Sequence, residues 1–501
     1  MEPLTRAEKT EYRETSLHRH VLEFIQSLRA KTDAVSVHSM GQSGEGQDMP
    51  VLVLGATSPE DARRRGKPVI LVIANIHAGE VEGKEALLML ARDMTLGSLR
   101  RFPERLCLVF VPNYNPDGND RISPENRKLD LAKFEGQINP EGGVGTRYTG
   151  QGINLNRDYM KLEAVESRRL TALYNRWWPH LTIDCHTTDG SIHAYHLTYD
   201  SANNFASGAP EPVDFVRQVL LPTVSESLER RTGHRTFFYG NFRDPNDPTH
   251  GWETYSPLPR YGSNYRGLTG RMDILLEAYS YIPFRDRVSV TYEILSEIFE
   301  FVGSHAPEIV RIGDSAVPRE SVGIRYSSSA EVAGEAVIRS YDLDALRARR
   351  LEGALASYRC PWFAKFAPAT SIDRPTSYLV PREEAGAIRK LEEHGIVLER
   401  CASESRFKGE VYRIVSLEHT SSPDVGTEKR FETVVQVTKD RRACQAREGD
   451  VWVKTDQRLG TVAVYLLEPE SDDGLVRWGY LDGSLAAGRD YPVVRLPSER
   501  V

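Results

Sequence analysis

Cysteine is scarce in this chain, and the few cysteines form no recognisable pattern. The 501 residues include 5 of them, at Cys107, Cys185, Cys360, Cys401 and Cys444, with no Cys-x-x-Cys pair. A disulfide framework or a thiolate metal site needs paired or closely spaced cysteines. Both classes are therefore excluded, and the two cysteines that lie in apolar runs, Cys107 and Cys185, are expected in the core.

Long apolar runs and an excess of positive charge are also missing. No stretch approaches the roughly 18–20 apolar residues that a membrane span requires. The formal net charge of −7 gives no electrostatic basis for binding nucleic acid or an anionic membrane. The opening residues, MEPLTRAEKTEYRETS, contain no apolar core of a signal peptide. We therefore expect a cytoplasmic protein or the processed form of a secreted one, with no nucleic-acid or membrane partner.

The chain is long enough for more than one hydrophobic core, because single cores rarely grow beyond about 250–300 residues. Roughly the first 300 residues alternate between apolar strands and amphipathic helices. This pattern predicts an α/β fold with a mixed, largely parallel twisted sheet and helices on both faces. Shorter alternating runs then predict a smaller β-rich C-terminal domain. We expect a main domain over residues 1–310, a linker over 311–330 and an accessory domain over 331–501.

Several elements can be placed individually. The near-continuous apolar run PVILVIANIH is typical of a strand buried on both faces. The run RVSVTYEILSEIFEFVG predicts a long helix that ends at Gly303. In the C-terminal part, TVAVYLLEP is rich in β-branched residues and is expected to be a strand.

The residues with metal-binding chemistry follow predicted strand ends, where open α/β sheets bind their ligands. His77 and Glu80 follow the first buried strand, His186 ends a second in DCHTT, and Glu277 ends a third in ILLEAYS. Two histidines and one carboxylate form a common catalytic zinc set, which leaves one position open for water. Each residue alone has a plainer explanation: Glu80 as a favourable charge at a helix N-terminus, His186 as a core histidine, and Glu277 as half of a buried ion pair.

A further segment, RYTGQGINLNRDY from Arg147 to Tyr159, favours the metal-site interpretation over these plainer explanations. With it, the chain resembles the zinc metallocarboxypeptidase family. The family's motifs stand here as HAGE, NPDG, RYTGQGINLNR, DCHTT and LLEAY, in the family's order over about residues 10–305. The resemblance implies that residues 1–310 form the catalytic domain. It also implies that His77, Glu80 and His186 hold one Zn²⁺ ion and that the protein hydrolyses C-terminal peptide bonds.

The resemblance also assigns roles to individual residues. Glu277 would be the general base that takes a proton from the water molecule activated by zinc. Arg147, ten residues before Arg157, would polarise the scissile carbonyl. Asn156 and Arg157 would hold the substrate's terminal carboxylate, which suits the two parallel donors of a guanidinium. Arg127 is a second choice for the carbonyl, and otherwise a solvated loop arginine.

Other positions are less settled. Tyr255, 22 residues before Glu277, matches the mobile tyrosine that covers the substrate in the family, and Tyr261 and Tyr265 compete with it. Asn154 stands where the family usually has an aspartate that orients a zinc-bound histidine. An amide carries no charge, so the basicity of that histidine should fall. Asp184, on the same strand face as His186, is a candidate for the missing carboxylate.

Three functions remain open. The first is a zinc carboxypeptidase that acts on peptides with a free C-terminal carboxylate. The second is a zinc amidase or deacylase for acyl amino acids or peptidoglycan-derived peptides, supported by the string DCHTT. The third is a peptide-binding protein that has lost catalysis. Three arginines near the expected specificity loop, Arg260, Arg266 and Arg271, would favour an acidic substrate side chain, but exposed arginines are common on loops, so the side-chain preference stays open. The role of residues 466–482 is open between rimming the site, binding carbohydrate and sealing the main domain.

Overall fold

The computed structural model describes residues 2–422 and 431–498 of the chain. A π-helical turn, Val216–Leu220, joins two of the helices. The α-helices of the described residues are α1 (Arg6–Lys9), α2 (His18–Arg29), α3 (Pro59–Arg64), α4 (Glu82–Thr95), α5 (Arg101–Arg105), α6 (Pro116–Asp120), α7 (Val165–Trp177), α8 (Pro210–Phe215), α9 (Leu221–Thr232), α10 (Gly262–Leu268), α11 (Phe284–Ser304), α12 (Ala306–Ser315), α13 (Leu343–Arg347), α14 (Ala385–His394) and α15 (Gly460–Leu467).

The strands form one large sheet and three smaller ones. In chain order they are β1 (Val35–Gln42), β2 (Asp48–Leu54), β3 (Val69–Ala74), β4 (Cys107–Val111), β5 (Leu181–Thr188), β6 (Leu197–Asp200), β7 (Thr236–Phe238), β8 (Asn241–Phe242), β9 (Trp252–Glu253), β10 (Met272–Tyr279), β11 (Ser321–Tyr326), β12 (Glu331–Tyr341), β13 (Leu355–Lys365), β14 (Pro368–Asp373), β15 (Ser377–Val380), β16 (Glu399–Arg400), β17 (Ser405–Ser421), β18 (Phe431–Ala446), β19 (Val451–Lys454) and β20 (Val494–Leu496).

The central sheet has eight strands in the order β1-β2-β4-β3-β5-β10-β6-β7. Strand β3 runs parallel to β4 and β5, and β5 runs parallel to β10. The antiparallel pairs β1–β2 and β6–β10 lie to either side of this parallel centre. All residues of β3, β4 and β5 are buried, as strands covered on both faces must be. The predicted mixed, largely parallel sheet is confirmed.

Each face of the central sheet is covered by its own hydrophobic core. On one face, side chains of α2, α4, α9 and α11 pack against alternate residues of β3, β4 and β5. On the other, α7 and α10 pack against the remaining residues of β3 and β4, and the core continues into α14, α15 and strands β15 and β19. The β-rich C-terminal part is therefore joined to the central sheet by a continuous apolar core.

Two sequence-based expectations for individual elements are wrong. The run TVAVYLLEP forms helix α15 and not a strand, and every residue from Gly460 to Leu467 is buried. An element surrounded by protein needs no polar face, so tertiary packing overrides its β propensity. Gly303 does not end α11, which continues to Ser304. A Cβ at Gly303 would lie 2.5 Å from the Arg105 guanidinium, so this glycine permits close packing.

The chain between the main and C-terminal parts is structured. Residues 311–330, expected as a linker, contain the end of α12 and strand β11. Beyond them, β13 pairs with β9 of the main part, Trp362 lying opposite Trp252. A separate six-stranded sheet has the order β16-β19-β15-β20-β17-β18. None of the described helices is both long and apolar enough to cross a bilayer.

Candidate metal centre and active site

The HAGE segment forms a tight turn directly beyond strand β3. Asn75 adopts a left-handed φ of 66°, which turns the chain as the strand ends. The amide of Glu80 then donates to the carbonyl of His77 at 2.9 Å. A Cβ at Gly79 would lie 2.7 Å from the Arg127 side chain and 2.9 Å from the Gly145 carbonyl. The small residue in this motif therefore lets the arginine approach the turn that presents His77 and Glu80.

The register of the parallel strands brings the remaining residues to the same place. Strand β5 pairs with β3 so that Cys185 lies opposite Ala74. His186 directly follows Cys185, and the turn that contains His77 follows Ala74, so both histidines lie at the same edge of the sheet. Strand β10 pairs with β5 so that Glu277 lies directly opposite His186. Residues paired across neighbouring strands project to the same face of a sheet. His77, Glu80, His186 and Glu277 therefore converge at the carboxyl ends of three strands.

Three of these side chains form a compact, buried donor set. One ligand atom from each of His77, Glu80 and His186 lies within 4.8 Å of the others. The Glu80 carboxylate lies between the imidazoles, with Oε1 3.0 Å from His77 Nδ1 and Oε2 3.0 Å from His186 Nδ1. Two imidazole nitrogens and a carboxylate are the ligand chemistry of catalytic zinc. The residues present therefore fit a zinc ion.

The far sides of both imidazoles face oxygen atoms, which leaves Nδ1 of each ring directed at the donor set. Nε2 of His77 donates to Oδ1 of Asn154 at 3.2 Å. Nε2 of His186 lies 3.2 Å from Oδ1 of Asp184, whose other oxygen accepts from Arg266 at 2.9 Å. Such outer partners fix the tautomer and orientation of a metal-binding histidine. Asn154 thus lies beside a histidine of the set, as the sequence suggested, whereas Asp184 supports the other histidine and does not supply the carboxylate missing at Asn154.

Replacing Asn154 is expected to change zinc affinity. Asn154→Ala removes the acceptor for His77 and should weaken zinc binding by about 10- to 100-fold. Asn154→Asp keeps the geometry and adds charge, so its affinity should equal or exceed that of the wild type. Competition with a chromogenic chelator measures both dissociation constants. Equal affinities for the alanine variant and the wild type would show that Asn154 does not support the ligand.

The electrostatics of the cluster differ between its two histidines. Burial lowers the pKa of His186, but Asp184 outweighs it and raises that pKa well above its usual range, so a bound metal has to displace the proton of this ring. Burial lowers the pKa of His77 to about 3, so the imidazole is neutral and has a lone pair to donate. Burial alone would raise the pKa of Glu80, but His77 and Arg127 outweigh it and hold that pKa well below its usual range. Burial raises the pKa of Glu277 to about 8, against the opposing influence of His186. A nearby metal cation would lower the pKa of Glu277 again and return the carboxylate to its basic form.

Two arginines border the donor set. Arg127 donates to Glu80 Oε1 at 2.9 Å, to the Thr187 carbonyl at 3.1 Å and to Gln137 at 2.9 Å. The guanidinium of Arg147 lies 3.6 Å from Glu80 Oε1 and is more exposed. The interpretation of Arg127 as a solvated loop residue is wrong, because its side chain is only 14% exposed and firmly anchored. Positive charge therefore flanks the cluster from two points of one long connection, which joins α6 to the 3₁₀ turn Leu155–Arg157.

Asn156 and Arg157 lie in a 3₁₀ turn, Leu155–Arg157, next to the cluster. Oδ1 of Asn156 accepts from the amide of Gly262 at 2.9 Å, which ties the turn to the start of α10. The Arg157 guanidinium lies 4.2 Å above the ring of Tyr261. The planar cation is thereby held over an aromatic face at the edge of the cavity.

A cavity of about 180 Å³ connects these groups, and three tyrosines line one side of it. Tyr239, Tyr255 and Tyr261 form a row with successive ring centroids 5.8 Å and 6.0 Å apart. The Tyr255 hydroxyl donates to the Ser201 carbonyl at 2.7 Å. Tyr265 lies outside the cavity, stacked on His394 in the core. Sequence reasoning missed Tyr239, and the strand-end rule could not have found it, because β7 runs antiparallel to β10 and β5.

Other residues named from the sequence have supporting roles in the fold. The NPDG loop stabilises the turn beside it, since Asn115 caps α6 and its amide donates to the Ile76 carbonyl at 3.3 Å. The three arginines near the expected specificity loop are buried and paired with carboxylates, and so are not exposed as the acidic-substrate interpretation required. Their partners are Asp473 for Arg260, Asp184 and Asp273 for Arg266, and Asp314 for Arg271.

A larger cavity of about 420 Å³ lies at the opposite ends of the same strands, next to Val69 and Arg271. Within the described residues, the only cluster of three metal-binding side chains is that of His77, Glu80 and His186, which the smaller cavity contains. Chemistry and not volume therefore identifies the candidate site.

Comparison with known proteins agrees with this site. Residues 21–192 match the model of a family described as zinc carboxypeptidase. Carboxypeptidase 2 of Trichophyton rubrum is 21% identical over 502 residues, covering 94% of this chain and 85% of that protein. Carboxypeptidase M of Mus musculus is 34% identical over 106 residues, covering 20% of this chain and 23% of that protein. A metallo-carboxypeptidase structure from Burkholderia cenocepacia has a TM-score of 0.42 at 16% identity, covering 57% of this chain and 69% of that chain.

The matched segment contains His77, Glu80, Arg147, Asn156, Arg157 and His186. The match to carboxypeptidase 2 extends beyond this segment over most of the chain. Residues 21–192 are thus similar to a zinc carboxypeptidase domain, and the named relatives are carboxypeptidases, which supports a metallopeptidase.

Proposed function

We propose that this protein is a zinc-dependent carboxypeptidase that removes C-terminal residues from peptides. The observation that supports this most directly is the arrangement of a His77–Glu80–His186 donor set, a carboxylate at Glu277 and a cation at Arg157 around one cavity. A hydrolytic exopeptidase needs all three: a site for the metal, a base, and a group that recognises the chain end. The substrate is a peptide or small amide with a free carboxylate.

His77, Glu80 and His186 would hold the zinc ion, which when bound lowers the pKa of a water molecule toward ~7 and polarises the scissile carbonyl. Glu277, opposite His186 on the neighbouring strand, takes a proton from that water. The same carboxyl then passes the proton to the leaving amine. A carboxyl whose pKa lies near neutrality can serve both steps, since it is neither too weak a base nor too weak an acid.

Arg147 stabilises the negative charge that develops on the carbonyl oxygen as water attacks. Its guanidinium is the less anchored of the two that flank the cluster, so it can turn from Glu80 toward the substrate. Arg127, with contacts to three partners, fixes the position of Glu80. A positive group aimed at developing charge is worth about 10²–10³ in kcat in other hydrolytic sites.

Asn156 and Arg157 bind the terminal carboxylate. The guanidinium supplies two parallel donors, and stacking on Tyr261 restricts its orientation before the substrate arrives. Tyr255 and Tyr261 line the side of the cavity that the substrate's C-terminal residue would occupy, and Tyr255 remains our choice for the ring that covers it.

The grip on the carboxylate can be tested with one peptide in two forms, with a free and with an amidated C-terminus. Mass spectrometry should detect stepwise loss of C-terminal residues from the free peptide only, and a zinc chelator should stop it. Arg157→Lys keeps the charge but loses the paired donors, so we expect KM for the free peptide to rise about 10- to 100-fold. Arg121→Lys, an exposed arginine paired with Glu45, is the matched control and should leave KM unchanged.

The other outcomes distinguish the competing functions. Cleavage of both peptide forms, or hydrolysis of small acyl amino acids alone, would favour the amidase. Zinc binding without any hydrolysis would favour the peptide-binding protein. An Arg157→Lys variant with unchanged KM would show that the terminal carboxylate is recognised elsewhere.

A further inference from the structure

The C-terminal region, meaning residues 377–422 and 431–498, holds the chain that directly follows Asn156 and Arg157. Three successive backbone carbonyls of this segment each face a different donor from the C-terminal region. The pairs are Met160 with His394 Nε2 at 3.2 Å, Lys161 with the Tyr480 hydroxyl at 3.2 Å, and Leu162 with Lys390 Nζ at 3.0 Å. The turn that contains Asn156 and Arg157 therefore continues into a segment whose backbone is held by side chains of the C-terminal region.

The same region also holds the loop on the other side of the cavity. Both the backbone amide and the side chain of Arg260 donate to Asp473, at 2.7 Å and 3.0 Å. Glu432 accepts from the same guanidinium at 3.2 Å, and the Trp478 ring lies 4.6 Å from it. Arg260 is only 2% exposed, so these contacts are shielded from water and strong. Asp473 thus fixes the backbone immediately before Tyr261.

One side chain joins the two held segments. His394 is fully buried, and burial lowers its pKa to about 3, so the ring is neutral. Because Nε2 faces the Met160 carbonyl, it must donate the proton, and Nδ1 then accepts from the Tyr265 hydroxyl at 2.9 Å. Tyr265 lies on α10, the helix that begins with Gly262. His394 therefore connects the segment after Arg157 with the helix after Tyr261.

These contacts surround the residues that would recognise the substrate's chain end. Arg260 precedes Tyr261, whose ring supports the Arg157 guanidinium, and Gly262 donates to Asn156. Simple sealing of an interface would need apolar packing, which the shared core already supplies. Buried backbone groups need hydrogen-bond partners in any case. What favours a positioning role is that these partners bind three successive carbonyls and one backbone amide in the two segments that border the cavity.

We propose that the C-terminal region is a positioning device for the carboxylate-binding subsite, with Asp473 and His394 as its principal positioning residues. The inference rests on the proposed carboxypeptidase function. It implies that the subsite formed by Asn156, Arg157 and Tyr261 depends on both parts of the chain for its geometry. The region would then determine how tightly the chain end is bound, without contacting the substrate.

The test compares Asp473→Asn with Glu468→Gln in the full-length zinc enzyme. Asp473→Asn weakens the hold on Arg260 and should raise KM for a free-carboxylate peptide about tenfold, with kcat changed less than about threefold. Glu468 is an equally buried carboxylate of the same region, bound to Arg495 and to Tyr378 and Tyr412, and it contacts no part of the loop. Glu468→Gln should lower Tm comparably while KM stays unchanged.

Tyr480→Phe provides a milder variant, since it keeps the ring of a half-buried residue and removes the hydroxyl that donates to the Lys161 carbonyl. We expect KM to rise about two- to threefold without a change in Tm. If Asp473→Asn fails to fold, this variant decides the question. Unchanged KM in the variants, or an equal rise in the Glu468→Gln control, would overturn the positioning role. A wild-type enzyme that cleaves no free-carboxylate peptide would instead overturn the proposed function, before any variant is compared.

Discussion

Replacement of Glu277 by glutamine is expected to lower kcat by about 10²- to 10⁴-fold, the usual contribution of a general base. Glutamine has the same shape but cannot accept a proton from water or return it to the leaving amine. Glu277 is outside the donor set, so bound zinc should remain at one equivalent. Steady-state kinetics on a free-carboxylate peptide, with the metal content of the same sample, measures both quantities.

The control for this variant is Glu253→Gln, a partly exposed carboxylate paired with Arg243 and not among the residues that line the cavity. It should retain wild-type kcat. Glu277→Gln enzyme with kcat within tenfold of the wild type would assign the proton transfer to another group. Loss of zinc together with activity would mean that Glu277 supports the metal and that its role as a base has not been isolated.

Replacement of Glu80 by glutamine is expected to abolish both zinc binding at stoichiometric metal and peptide hydrolysis. The neutral amide removes the only anionic ligand of the set, so zinc affinity should fall by more than the 10- to 100-fold typical of an outer partner. Wild-type enzyme at a free zinc concentration 100 times the dissociation constant should gain about 2.7 kcal/mol of stability over the metal-free form. The Glu80→Gln variant should gain almost none, and thermal unfolding with and without zinc measures the difference.

The Glu80→Gln variant should also be less stable than the wild type when both are free of metal. Glu80 is the carboxylate partner of the buried Arg127 guanidinium, and removing one partner of a buried pair typically costs about 3–5 kcal/mol. The metal-free variant should therefore unfold at a lower temperature than metal-free wild type. A zinc-dependent rise in Tm equal to that of the wild type would show that the ion binds elsewhere. Glu45→Gln, an exposed partner of Arg121, is the control for loss of a carboxylate.

Sequence patterns predicted best where chemistry depends on local spacing. His77 and Glu80 lie in one turn, and their proximity follows from three residues of separation and from the strand end before them. The distance between His186 and Glu277 could be expected only because parallel strands end at a common edge. The structure places all four around one cavity, and the roles of the individual residues stay predictions.

The errors concern features that depend on contacts remote in sequence. Arg127 was expected in solvent because its loop is polar, but a turn 47 residues earlier supplies Glu80 as its partner. Segment 460–467 was expected to be extended because of its β-branched residues, but the surrounding protein buries it on all sides as a helix. Arg260 was considered as a specificity residue on a loop, but it is paired with Asp473. That partner lies 213 positions away in the chain, so the sequence contains no sign of the pairing.

The sequence by itself indicated the resemblance to zinc carboxypeptidases, the fold class and the candidate metal ligands, because each depends on a short motif or a local periodicity. Only the tertiary structure decided which arginine is anchored, which tyrosines face the cavity and what the C-terminal region contacts. Those features arise from the register of strands and from side chains that meet across hundreds of residues. Such contacts leave no periodic trace in the chain, since they are selected by the packed shape and by the need to pair every buried charge.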